Sequence, residues 1–207
     1  VSSIGMILFT SRPVGDAMAT TIWGASSSWT LTALPLFVWM GEILFRTKLS
    51  ENLFEGLAPW LQKLPGGLIH VNVVGCALFA AISGSSAATV ATVGKMSIPE
   101  LRKRKYPEKI LLGSLAGSGT LGLLIPPSII LIIYGVTVQE SIAKLFIAGI
   151  IPGIMIALIF MGYVIVWSLL NKNKMPTNYE NFSFLNKLGK SKQLIPVILL
   201  ILGVIGS

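Results

Sequence analysis

Long apolar stretches separated by short, positively charged loops dominate the pattern of the chain. Two of these stretches, Ile110–Tyr134 and Leu145–Leu170, hold 25 and 26 residues without a charged side chain. A helix of about 20 apolar residues can cross the hydrocarbon core of a bilayer. We therefore predict an all-α polytopic membrane protein with transmembrane segments at both stretches.

Further elements are predicted before and after these two stretches. Trp29–Phe45 is typical of an earlier span, and Leu194–Ser207 of the start of a later one. Leu49–Leu64 has apolar residues at helical spacing, which predicts a helix lying along the cytoplasmic membrane surface. Because Val1–Phe9 is apolar as well, we expect the chain to be part of a longer polytopic protein.

Lysine and arginine are concentrated in three loops, which predicts an orientation in the membrane. The loops cover residues 46–63, 102–109 and 172–192. Loops rich in Lys and Arg stay in the cytoplasm. The second and third loops are therefore predicted to be cytoplasmic, and Gly135–Lys144 to lie outside.

The segment between the first two basic loops is too short for two crossings. Residues 66–98 number 33, whereas two full spans need about 40 plus a turn. If both loops are cytoplasmic, the segment is a re-entrant hairpin with its tip at Ser83–Ser86. A single tilted span is the alternative, because Glu51 and Glu55 weaken the charge bias of the first loop.

Small polar residues and prolines interrupt two of the apolar stretches. The first interruption lies in "AISGSSAATVATVGK" (Ala81–Lys95), and the second in "AGSGTLGLLIPPS" (Ala116–Ser128). Unpaired backbone in hydrocarbon costs several kcal/mol per group, so such breaks persist only where protein or a water-lined cavity satisfies them. For a single small residue such as Ser114, close helix packing is the favoured explanation. The paired clusters instead indicate a binding site between interrupted helices.

The ends of interrupted helices favour an ion and an anion as ligands. Carbonyl groups at C-terminal ends suit a cation, and N–H groups at N-terminal ends suit an anionic substrate. Neither break contains Asp or Glu, whereas a proton-driven carrier usually needs a titratable group in the membrane. With only Glu42 and His70 as candidates for that group, coupling to sodium through neutral oxygens is favoured.

Charge and cysteine content argue against other classes of protein. The net charge is +8, but the positive residues lie in short loops as topogenic signals do, so no nucleic-acid partner is predicted. Cys76 is the single cysteine, which gives no disulfide framework or cysteine metal cluster. We predict no enzymatic activity and no cofactor. The remote alternative is an intramembrane serine hydrolase that uses Ser83 with His70 as its base.

Several segments resemble one transporter family in order and spacing. They are "LTALPLFVWMGEIL", "AISGSSAATVATVGKMSIPEL", "YPEKILLGSLAGSGTLGLLIPPSIILIIYG" and "SIAKLFIAGIIPG". Over residues 25–170 the chain is similar to the large membrane subunit of TRAP (tripartite ATP-independent periplasmic) transporters. A divalent-anion/sodium symporter that works without a binding protein is the alternative within transport.

The resemblance implies a fold, a function and partners. The fold is an elevator-type ion transporter with two inverted repeats, each containing a re-entrant hairpin and a discontinuous span, and this chain would contain the first repeat. The function is sodium-coupled import of an organic acid (C4-dicarboxylate, sugar acid or keto acid) across the bacterial or archaeal inner membrane, with Na⁺ as coupling ion. The partners are a small four-helix membrane subunit, a periplasmic substrate-binding protein and the lipid bilayer.

The resemblance also implies a division of the chain and a site. Residues 1–65 would form a scaffold span and surface helix, 66–170 half of a transport domain (hairpin 66–98, broken span 110–134, span 145–170), and 171–207 a cytoplasmic linker and the start of the next span. Sodium would be bound by Ser83, Gly84, Ser86, Gly119, Thr120 and Gly122, through the hydroxyls of Ser83, Ser86 and Thr120 and nearby backbone carbonyls. The substrate would contact Ser85, Ala87, Pro126, Pro127 and Ser128.

Overall fold

The chain is helical throughout the residues that the structure describes. This structure, a computed structural model, describes residues 13–27, 33–47, 49–176 and 189–206, and no strand occurs in those ranges. The all-α class is thereby confirmed. In chain order the helices are α1 (Val14–Ser26), α2 (Ala33–Phe45), α3 (Leu49–Leu61), α4 (Ile69–Ser83), α5 (Ser86–Lys103), α6 (Glu108–Gly119), α7 (Ile129–Val138), α8 (Ile142–Leu170) and α9 (Ile195–Gly206), with 3₁₀ turns at Thr120–Leu123, Lys172–Lys174 and Lys192–Leu194.

Helices α4 and α5 form the expected hairpin. Helix α4 ends where Gly84 adopts a left-handed conformation with φ 58°, which glycine reaches without steric cost. Ser85 is extended and is the N-cap of α5. The second arm continues to Lys103, beyond the predicted end at 98, because Leu101 is still packed in the core.

The two arms of the hairpin begin and end at the same end of the bundle. The hydroxyl of Tyr106, just after α5, accepts a hydrogen bond of 3.1 Å from the backbone N–H of Leu68, just before α4. Both residues belong to an apolar cluster that also contains Val164 of α8, with Trp167 and Met175 packed against it. The start of α4, the end of α5 and the C-terminal part of α8 therefore lie together, as a helical hairpin over this segment requires.

The span predicted at 110–134 is interrupted, as its glycines and prolines indicate. Helix α6 ends at Gly119, the 3₁₀ turn covers Thr120–Leu123, and regular helix resumes only at Ile129. Tandem prolines cannot donate to a helix and disfavour helical residues before them. The peptide bond between Pro126 and Pro127 is cis.

Helix lengths separate one full span from two half-length segments. By length and apolar composition, α8 is the one helix in the described ranges that could cross a membrane alone. The apolar helices α4 and α7 have 15 and 10 residues, or about 22 and 15 Å at 1.5 Å per residue. Since a bilayer core is about 30 Å thick, each of them is long enough for only part of a crossing.

Helix α4 is the centre of the fold. Twelve of its 15 residues are buried. It contacts α2, α3, α5, α6, α8, α9 and the 3₁₀ turn at 120–123. The hairpin arm that leads to Ser83 is therefore enclosed by protein on all sides, and its position is set by the whole bundle.

The N-terminal region differs from expectation in three details. Helix α1 was not predicted, and α2 is described only from Ala33, so Trp29 lies outside the described residues. Helix α3 ends at Leu61 and not at Leu64. It also packs its apolar side into the bundle, where Leu53 and Leu57 are buried, because α4 and Lys192–Leu194 cover it.

Replacing Tyr106 with Phe tests the closure of the basic end. Tyr106→Phe leaves the buried N–H of Leu68 without its acceptor, which costs about 2 kcal/mol. We expect a lower midpoint of unfolding in detergent. Tyr163→Phe is the matched control, since Tyr163 is 60% exposed. Equal midpoints for the two variants would contradict this account.

Candidate functional site

The two interruptions predicted from the sequence meet in the structure. A Cβ built on Gly122 would lie 2.9 Å from the backbone N of Ser86 and 3.0 Å from the carbonyl carbon of Ser85. A Cβ on Gly119 would meet the side chain of Val90 and would lie 3.8 Å from Ser86 O. The 3₁₀ turn therefore lies directly against the hairpin tip. Only glycine, which has no Cβ, allows the two backbones to come so close.

A second helix covers the hairpin tip from another side. Gly41 of α2 is buried, and a Cβ there would lie 3.4 Å from Ser83 O. The end of α4 is thus in contact with backbone from α2, while Gly122 contacts the start of α5. The hairpin tip is therefore in contact with the backbone of α2 and with the backbone of the 3₁₀ turn.

Three residues form a hydrogen-bonded ring inside the tip. The N–H of Ser85 donates to Ser83 Oγ at 3.4 Å, and Ser83 Oγ lies 2.9 Å from Thr89 Oγ1. The hydroxyls of Thr89 and Ser83 lie 2.7 and 3.3 Å from the carbonyl oxygen of Ser85, to which each can donate. Ser83 and Thr89 are 3% and 0% exposed. Their hydroxyls therefore stabilise the turn itself.

Thr89 is a residue of the tip that sequence reasoning missed. Its signal is the spacing: it lies four residues after Ser85, the N-cap, whose own Oγ accepts a hydrogen bond from the N–H of Ala88 at 3.4 Å. A serine N-cap followed by a threonine one turn later allows both hydroxyls to bond backbone at the helix start.

The hydroxyl of Ser86 differs from those of Ser83 and Thr89. It makes no hydrogen bond to any part of the chain that the structure describes, and the residue is half-buried beside Gly122. Ala87 follows it and is exposed. Of the hydroxyls predicted to bind sodium, that of Ser86 is therefore the one uncommitted at the contact between tip and turn.

In the described part of the chain, the broken segment leaves backbone groups of both kinds, carbonyls and N–H groups, without hydrogen-bond partners. Among described residues, no group donates a hydrogen bond to the carbonyls of residues 124–127. Thr120 and Ser128 have committed hydroxyls, which donate to Gly117 O at 2.7 Å and to Leu123 O at 2.8 Å. The unpaired acceptors of the break are therefore backbone oxygens, which carry partial negative charge and follow directly after the 3₁₀ turn.

The predicted substrate residues fall into two groups. Ser85 and Ala87 lie on the tip. Pro126, Pro127 and Ser128 are buried in the break, and their neighbours pack on α8. A Cβ on Gly149 of α8 would lie 3.1 Å from Leu124 O and 3.6 Å from Pro126 Cδ.

The hydrolase alternative is inconsistent with the fold. His70 and Ser83 lie at opposite ends of α4, about 20 Å apart at 1.5 Å per residue. The ring Nε2 of His70 lies 2.8 Å from Pro65 O, while Ser83 is engaged with Thr89. A nucleophile and its base must lie within hydrogen-bond reach, so these residues form no such pair.

Comparison with known proteins shows the class and the family. A model of the family "Tripartite ATP-independent periplasmic transporter, DctM component" matches residues 1–207. The C4-dicarboxylate TRAP transporter large permease protein DctM of Pseudomonas aeruginosa is 35% identical over 174 residues, which cover 84% of this chain and 40% of that protein. The sialic acid TRAP transporter large permease protein SiaM of Vibrio cholerae is 34% identical over 79% of this chain and 39% of its own.

A third relative is named for a different substrate. The ectoine/5-hydroxyectoine TRAP transporter large permease protein UehC of Ruegeria pomeroyi is 35% identical over 71% of this chain and 34% of its own length. These relatives are subunits of membrane transporters and not enzymes. The chain belongs to the family of TRAP transporter large permease proteins, and it spans 40% or less of the length of these three relatives.

Substituting Gly122 tests the contact between tip and turn. In Gly122→Ala the new Cβ meets backbone atoms of Ser85 and Ser86, and overpacking of this kind costs about 1–3 kcal/mol. We expect uptake by the complete transporter to fall by about tenfold or more while the amount of subunit in the membrane is unchanged.

Gly113→Ala is the matched control for this substitution. Gly113 lies on α6, and a Cβ there has nothing within 4 Å. Uptake by Gly113→Ala should equal that of the wild type. If Gly122→Ala transported as well as Gly113→Ala, the close contact would be unimportant for function.

Proposed function

We propose that this chain forms one half of the ion and substrate site of a sodium-coupled importer of organic acids. The observation that carries the proposal is the contact of Gly122 with Ser85 and Ser86. It brings the 3₁₀ turn against a segment with an uncommitted hydroxyl, and neither residues 83–90 nor residues 119–128 include an acidic side chain. Such a place suits a hard monovalent cation better than a proton or a divalent metal.

The sodium ion is proposed to bind where the hairpin tip meets the 3₁₀ turn. Its ligands come from Ser83, Gly84, Ser86, Gly119, Thr120 and Gly122, as oxygens of backbone and hydroxyl groups. The C-terminal ends of α4 and of the turn at Thr120–Leu123 carry the negative end of a helix dipole, which favours a cation. Within the described ranges no group of three His, Cys, Asp or Glu residues could hold a metal ion, so neutral oxygens are the available ligands.

The substrate is proposed to bind beside the ion through N–H groups. Helices α5 and α7 both begin at a break, after Ser85 and Ser128. Helix N-termini attract anions because their first N–H groups have no partner within the helix. The three relatives are named for C4-dicarboxylates, sialic acid and ectoine, all of which carry a carboxylate group.

The setting of this site is also part of the proposal. The hairpin is re-entrant from the cytoplasmic side of the inner membrane, and the chain supplies the first of two inverted repeats that move together as an elevator. A periplasmic binding protein delivers the acid, and a small four-helix membrane subunit accompanies the large one. Membership of a tripartite family supports these partners over a symporter that works alone.

Uptake in liposomes tests the coupling ion. The complete large subunit, reconstituted with its membrane partner and loaded binding protein, should accumulate a labelled organic acid only under an inward sodium gradient. A proton gradient of equal size without sodium should give no accumulation. Equal uptake under the two gradients would refute sodium coupling and leave the family assignment intact.

Removing the free hydroxyl tests the proposed ligand. Ser86→Ala should raise the sodium concentration for half-maximal uptake by about fivefold, since one oxygen ligand is lost. Thr137→Val is the control, because the hydroxyl of Thr137 is exposed and bonds only to Ile133 O in its own helix. An unchanged sodium dependence in Ser86→Ala would remove this hydroxyl from the site.

A further inference from the structure

A buried polar cluster joins the first arm of the hairpin to the helix before the break. Asn72 of α4 is 0% exposed, and its Nδ2 donates to Ser114 Oγ at 3.1 Å and to Leu111 O at 3.3 Å. Ser118 Oγ lies 3.4 Å from Asn72 O and donates to Ser114 O at 2.6 Å. We call Asn72, Ser114 and Ser118 the Asn72 cluster.

The bonds of Asn72 connect two separate elements. Hydroxyls such as those of Thr120 and Thr137 donate to carbonyls of their own chain segment, whereas the Asn72 amide reaches from α4 to α6. Neighbouring Val71 and Val73 are buried and apolar, and apolar contacts tolerate sliding. A directional hydrogen bond between α4 and α6 fixes the position of α4 along its own axis relative to α6. It also fixes the rotation of α4 about that axis.

Stability alone does not account for this amide. Asn72 Oδ1 is buried without a partner in the described part of the chain, and an unpaired buried acceptor is costly. The benefit of its two donated bonds is therefore largely offset. Polar groups of this kind are known in other systems to select one register among several apolar alternatives.

Both elements that Asn72 connects lead into the proposed site. Helix α4 continues from Asn72 to the tip at Ser83, and α6 passes from Ser118 directly into Gly119. The contact between Gly122 and Ser86 leaves no room for even one more carbon atom, since a Cβ on Gly122 would lie only 2.9 Å from the backbone N of Ser86. A small slip of α4 against α6 would therefore change the distances between the proposed sodium ligands on the hairpin tip and those at Gly119–Gly122.

We propose that Asn72 is a positioning residue, which holds the hairpin tip and the break in the register that the cation requires. It contacts neither ion nor substrate and acts through the Asn72 cluster. The proposal rests on the proposed function for the role of the site. The register itself is a property of the fold and can be measured without transport.

Disulfide cross-linking measures the register directly. Val90→Cys and Gly119→Cys place two thiols where a Cβ on Gly119 touches the Val90 side chain. In the complete subunit, mild oxidation should cross-link this pair efficiently, and the added change Asn72→Leu should lower the yield at least threefold. Each single cysteine variant is the control, because Cys76 is present in all. An equal yield with and without Asn72→Leu would overturn the proposal.

Sodium dependence measures the consequence for the site. Asn72→Leu and Ser114→Ala should each raise the half-saturating sodium concentration by about fivefold, because each removes the buried hydrogen bond between these two side chains. The double variant should be no worse than Asn72→Leu alone, since the two residues act through one bond. Thr137→Val again controls for loss of a hydroxyl.

The two measurements separate failure of this inference from failure of sodium coupling. If wild-type uptake ignores sodium but Asn72→Leu still lowers cross-linking, the register role stands and the coupling proposal fails. If wild-type uptake depends on sodium and Asn72→Leu changes neither cross-linking nor half-saturation, Asn72 is not a positioning residue. Additive effects in the double variant would likewise contradict a shared bond.

Discussion

Every feature of the site depends on one constraint: a helix interrupted among apolar surroundings must have its free backbone groups covered by other parts of the protein. The structure meets this constraint with backbone and not with bulky side chains. Gly122 contacts Ser85 and Ser86, and Gly41 contacts Ser83. The approach of Gly122 is possible because the residue lacks a Cβ, since a Cβ there would lie 2.9 Å from Ser86 N. The same closeness that covers the backbone brings the two interruptions of the chain together at one point.

The polar groups of this region have distinct tasks. Ser83 and Thr89 use their hydroxyls to close the hairpin turn, and Ser128 uses its own to stabilise the break. The hydroxyl of Ser86 makes no hydrogen bond within the described part of the chain. Asn72 lies farther back and connects the two helices that carry the breaks. A small number of hydrogen bonds thus holds the hairpin turn, the break and the two helices in place, in a fold whose other contacts are mostly apolar.

Much of the fold was predictable because its signals are local. Gly84 and the Ser85 N-cap mark the hairpin turn, and Pro126 with Pro127 excludes continuous helix, whatever surrounds them. The charge of the loops indicated which ends of the helices lie together. Helix α1, the true ends of α3 and α5, and the role of Thr89 were missed, since they depend on packing partners far away in the chain. Leu101, for example, keeps α5 helical beyond residue 98 by its place in the core.

The amino-acid sequence by itself determined the helical class, the two interruptions, the orientation signals and the family. These follow from hydropathy, from the backbone chemistry of glycine and proline, and from residue order. Only the tertiary structure decided which serine hydroxyl is free, that Gly122 and not Gly113 contacts the hairpin tip, and that Asn72 bonds to Ser114. Those facts depend on how α4 lies against α6. That relation is set by the sum of many side-chain contacts across the bundle, and no local sequence pattern encodes it.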